Sequence, residues 1–184
     1  MSSSAKCGAQ SVSAAASPLL EALATLARAG VEFIVVGVSG INFYARDASD
    51  AVVTADVDVF LSPRVEVLRS ALGALRSSGF EFWADDEPFL DFDDSEILAN
   101  LIRSGANMTA ENEAGARIDL MLSGGGFRYD DLAADAVTFR LGDVEVRVGR
   151  LEKLLRSKEL AGRPKDVAFL RLFAARLREG AGED

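Results

Sequence analysis

Asp56 and Asp58 stand two residues apart in Thr54-Ala55-Asp56-Val57-Asp58-Val59-Phe60-Leu61. Alternation of the acids with Val57, Val59 and Leu61 predicts a strand. On a strand, residues i and i+2 project to the same side, roughly 7 Å apart. Two carboxylates that close repel one another and resist leaving water unless a cation sits between them. Hard oxygen ligands at this spacing suit Mg²⁺ (or Mn²⁺), which takes one or two carboxylates together with substrate phosphates. The plainer reading of an isolated Asp-x-Asp is a strand with a solvated acidic face, so the neighbouring segments have to decide.

A second acid-bearing strand is predicted at Arg117-Ile118-Asp119-Leu120-Met121-Leu122, with Ile118, Leu120 and Leu122 facing one way and Asp119 and Met121 the other. If it pairs with the first, Asp119 joins Asp56 and Asp58. Three carboxylates from two strands are a common way to hold divalent metal, because unpaired charges are otherwise expelled from cores. Alone, Asp119 would pair with Arg117 or meet solvent. A buried run, Val31 to Val36, delivers the chain to Gly37-Val38-Ser39-Gly40 before a short helix starting at Ile41. Glycine at such a turn lets an anion approach backbone N–H groups, and Ser39 offers a further donor.

Other chemistries are excluded by composition. The 184 residues contain no histidine, which removes Ser-His-Asp and Cys-His catalysis and imidazole acid–base work. One cysteine, Cys7, gives no disulfide framework and points to a reducing cytoplasm. No apolar run approaches the ~18 residues of a membrane span, so no membrane partner is expected. Net charge is −9, which disfavours a long nucleic-acid footprint. The charge is uneven: Glu81 to Glu96 carries acids without Lys or Arg, whereas Arg150 to Arg178 is mainly basic. The acidic stretch reads as a solvated loop or helix start, with Asp93 or Asp94 as a cap.

The elements that must position these residues follow in order. Met1 to Ser17 reads as a flexible Ser/Ala-rich tail, and residues 18–149 as the core. Helices are predicted after Ser17-Pro18, after Ser62-Pro63 and after Asp94; a strand at Phe80 to Trp83; and hairpins at 107–122 and 137–148. Residues 150–184 supply two helices packed on the core, Leu151 to Leu160 and Lys165 to Leu177. Together they predict one mixed-sheet α/β (α+β) domain with a C-terminal helical pair.

The glycine turn at Gly37, the Asp56–Asp58 strand and Ile118-Asp119-Leu120-Met121 resemble the nucleotidyltransferase superfamily typified by DNA polymerase β. The ending from Leu151 to Asp166 is similar to that of small bacterial AbiEii-type toxins and related uncharacterised nucleotidyltransferases. The resemblance spans roughly residues 30 to 175. It implies that Asp56, Asp58 and Asp119 are catalytic and hold Mg²⁺ or Mn²⁺. Gly37, Ser39, Lys158, Arg163 and Lys165 would bind a nucleoside triphosphate. A nucleoside monophosphate would pass to a hydroxyl on an RNA end, a protein or a small molecule. Val38 stands where that family has a second small residue. The alternative is a catalytically degenerate binding or regulatory module, paired with a cognate antitoxin.

Overall fold

The computed structural model describes residues 11–12, 17–47 and 51–181. Most of the expected tail, Cys7 included, and part of the loop from Arg46 to Val53 lie outside the described residues. Ser11–Val12 forms a short strand, β1.

Pro18 opens helix α1 (Pro18–Arg28), where its fixed φ and missing N–H cost nothing. The apolar run then forms β2 (Phe33–Val36), buried at every position as a strand covered on both faces must be. Helix α2 (Gly37–Asn42) begins at the glycine itself, four residues earlier than expected. The acid-bearing strand is β3 (Asp56–Leu61).

Helix α3 (Val65–Ser77) starts later than Ser62-Pro63 suggested, with Arg64 in the capping position. Ser62 does not cap it; its Oγ accepts from Arg64 Nε at 3.2 Å. Strand β4 (Phe80–Ala84) turns back into β5 (Glu87–Pro88) through Asp85 and Asp86, both at positive φ (50° and 64°). A two-residue hairpin turn needs that conformation, and Asp tolerates it better than most residues. Part of the acidic stretch is therefore a hairpin tip. Asp94 caps α4 (Ser95–Ser104), accepting from the backbone N–H of Glu96 and Ile97.

Strands β6 (Met108–Asn112) and β7 (Arg117–Met121) make the first expected hairpin. A short helix that the sequence reading missed, α5 (Tyr129–Ala133), precedes the second hairpin, β8 (Val137–Leu141) and β9 (Val144–Val148). Helices α6 (Leu151–Ala161) and α7 (Pro164–Ala181) close the chain, separated by Gly162 in the left-handed conformation that ends a helix.

The described strands form one mixed sheet in the order β1-β8-β9-β2-β3-β7-β6-β4-β5. The pairs β1/β8, β2/β9 and β3/β7 are parallel and the others antiparallel. Helices α1, α3 and α4 pack together beneath one face. There the buried Val57, Val59, Ile118, Leu120, Met108, Ala110, Phe80 and Phe82 meet Leu23, Leu26, Leu68, Leu72 and Leu98 in one core. On the other face α2 and α5 lie at β2 and β3, with α6 and α7 beyond α2. Among the described residues no helix is long and apolar enough to cross a membrane.

Candidate functional site

Strand pairing decides where the acids go. β3 and β7 run parallel with Asp58 beside Asp119 and Asp56 beside Arg117. Residues paired across adjacent strands project from the same face, so Asp56, Asp58 and Asp119 share one side of the sheet. Asp58 is the most enclosed electrostatically. Burial, then the charges of Asp56 and Asp119, push its carboxyl up to about 6, with Lys158 and Arg163 opposing the rise. Each flanking acid has a local partner. Asp56 Oδ1 accepts from Thr54 Oγ1 at 2.7 Å. Asp119 Oδ1 accepts from Thr109 Oγ1 at 3.0 Å and from Arg117 Nε at 3.3 Å.

The glycine turn exists to let this acid in. Gly37 has φ of +63°, and a Cβ there would lie 1.9 Å from Asp58 Oδ2. Gly40 is required by packing: its Cβ would stand 2.9 Å from the Val35 carbonyl oxygen and 3.1 Å from Leu154 Cδ1. Ser39, expected to offer a hydroxyl to phosphate, is buried and committed elsewhere. Its Oγ donates to the Val36 carbonyl at 3.0 Å and accepts from the Asp58 N–H at 3.2 Å. Ser39 thus fixes the backbone of α2 to that of β3, and its hydroxyl has no proton left for a ligand.

The acids open into a cavity of about 720 Å³ whose lining includes Gly37, Val38, Lys158, Arg163 and Lys165. The sequence reading missed the residue that organises these cations. Asp166 is only 1% exposed, and it accepts from Lys158 Nζ at 3.3 Å and from Arg163 Nε at 2.5 Å. Burial alone would raise its carboxyl, but those hydrogen bonds and charges outweigh it and hold Asp166 below the usual carboxylate range. Lys158 Nζ also lies 4.8 Å from the centre of the Phe169 ring. Among the described residues Lys165 has no ion-pair partner and is exposed at the cavity.

Seven of the eight expected site residues therefore meet at one cavity, Ser39 being turned away. Their chemistry suits a polyanion carried by a hard cation, with the acids sharing the cavity with Lys158 on α6, Lys165 on α7 and Arg163 between the two helices. Among the described residues no three carboxylate, His or Cys side chains are drawn into a ready-made metal cage. Asp56 turns to Thr54, and Asp119 to Thr109 and Arg117. The all-carboxylate donor set and the raised Asp58 fit a divalent ion that would relieve the repulsion. Comparison with known protein families and with curated proteins finds no match for this chain.

Proposed function

We propose that the protein is a Mg²⁺-dependent nucleotidyltransferase that moves a nucleoside monophosphate from a nucleoside triphosphate to a hydroxyl acceptor. The observation that carries this reading is the register that sets Asp119 beside Asp58, at a cavity shared with Lys158 and Arg163. Asp56, Asp58 and Asp119 would hold the metal. When bound, Mg²⁺ (or Mn²⁺) neutralises phosphate charge and polarises the phosphoryl oxygens. Lys158 and Arg163 would bind the phosphates, and Asp166, which accepts from both, holds the two cations together at the cavity. Gly37 leaves the space beside Asp58 free of a side chain. Asp119 takes the proton of the acceptor hydroxyl as that oxygen attacks the α-phosphorus and pyrophosphate leaves.

A thermal-unfolding series with Mg²⁺ or Mn²⁺ and each of the four ribonucleoside triphosphates tests the reading. Saturation to about a hundred times the dissociation constant adds roughly 2.7 kcal/mol. For a chain of this size that is a rise of roughly 5–10 °C. The rise should need the metal and vanish in Asp56→Ala/Asp58→Ala. A second reading, a non-catalytic module that binds a protein partner such as a cognate antitoxin, is favoured by the inward commitment of the Ser39 hydroxyl. No shift with any nucleotide at millimolar concentration would select it.

A further inference from the structure

Among the described residues, α2 covers the cavity face of the sheet over β2 and β3. On β7, β6 and β4 this face carries Arg117, Asp119 and Met121, then Thr109 and Glu111, then Glu81 and Trp83, and none of them is buried. Asp119 and Met121 also line the cavity, so the open face and the carboxylate site are continuous.

We propose that this open face docks the acceptor, and that the acceptor is a hydroxyl on a basic, extended polypeptide segment. The identification of the docked segment as an acceptor rests on the nucleotidyl-transfer reading; its docking does not. Glu81 lies directly opposite Glu111, and like charges so placed destabilise a sheet. Among the described residues neither glutamate has an ion-pair partner, and the neighbouring Arg117 is turned to Asp119 and Thr109. Glu111 has only Arg117 opposite it on β7 to offset the pair, and lysine or arginine from outside would complete the neutralisation. Half-buried Trp83 completes the face with an aromatic surface suited to anchoring a partner and attracting a cation. From β7 to β5 is three strand spacings, about 14 Å, the reach of roughly four extended residues. A nucleic acid would bring its phosphates onto acids here, while Lys158, Arg163 and Lys165 stand at the cavity instead. In the transfer, a serine or threonine hydroxyl oxygen bonds the α-phosphorus and the α–β phosphoanhydride bond breaks. Pyrophosphate leaves, and the hydroxyl proton passes to Asp119 and then to water.

Trp83 is the chain's one tryptophan, so its emission reports on this face directly. The full chain would be titrated with a short peptide alternating lysine and serine, with its glutamate–serine counterpart, and with oligouridylate. The lysine peptide should change Trp83 emission saturably, and the other two should not. Glu81→Lys/Glu111→Lys, both exposed positions, should weaken the response about tenfold or more while leaving the thermal transition in place. In the presence of the nucleotide that raises the transition, α-phosphate label should appear on the peptide serine. No response to the lysine peptide, an equal response in the double variant, or tighter binding of oligouridylate would each overturn the proposal. Label on oligouridylate rather than on peptide would overturn it too. None of these outcomes alters the nucleotide-dependent thermal shift, which judges the parent reading separately.

Discussion

Asp58 is held where its charge is costly. Its carboxyl is raised from 3.8 to about 6, so in the metal-free protein the folded state holds a proton that the unfolded state releases. The stabilising contribution of this group is fully present below about pH 4 and is lost as pH rises through about 6. Near neutrality the folded protein therefore carries a penalty on the order of 3 kcal/mol at this one residue. Asp58→Asn should raise the metal-free melting temperature at pH 7 and flatten its change between pH 4 and pH 6. Denaturation across that range checks this; an unchanged or lower melting temperature at pH 7 would mean that Asp58 bears no such penalty. A carboxyl shifted this way is what the proposed metal-holding role of Asp58 requires. Local pattern reached Asp56, Asp58 and Asp119 because alternation fixes which side of a strand a residue occupies. It failed for Ser39, whose hydroxyl direction depends on how α2 meets β3.

At the scale of elements, the helical pair α6 and α7 is joined through Asp166. This acid would look solvated in a helix of mixed polarity, and only the packing of α7 on α6 buries it. Removing it leaves Lys158, itself buried, without its carboxylate, and breaking one side of such a pair costs about 3 kcal/mol. Asp166→Ala should lower urea stability by that order and also weaken nucleotide-dependent stabilisation. The pH sign is opposite to that of Asp58. A carboxyl held below its ordinary range contributes stability above the unfolded value, lost as pH falls through the folded one. A urea midpoint unmoved by the substitution would show that the helices need no such tie. Other elements were legible to different degrees. The cap at Asp94 and the turn at 113–115 follow from local chemistry. Helix α5 has only five residues, too few to display a helical period.

At the scale of the molecule, the C-terminal helices form part of the core. Leu151, Leu154, Leu155, Phe169 and Leu177 are all buried. Exposing five such side chains would cost roughly 10 kcal/mol, comparable to the whole stability of a typical domain. A chain ended after Gly149 should therefore show no cooperative thermal transition by circular dichroism. A sharp transition would show that the core stands without them. The expected boundary at residue 150 marks where helices packed on the core begin, and their burial is why their removal should unfold the rest.

The sequence by itself determined seven of the nine described strands (not the two-residue β1 and β5), most helices, the face on which each acid lies and the absence of imidazole chemistry. These are consequences of period, capping and composition, which neighbours in the chain carry. Only the tertiary structure decided that β3 and β7 pair in parallel with Asp58 beside Asp119, that Ser39 points inward, and that Asp166 gathers Lys158 and Arg163. It also decided that, among the described residues, the side chains on one face of β7, β6 and β4 are left unburied. Each depends on contacts between residues distant in the chain, where packing and desolvation, rather than local preference, set the outcome.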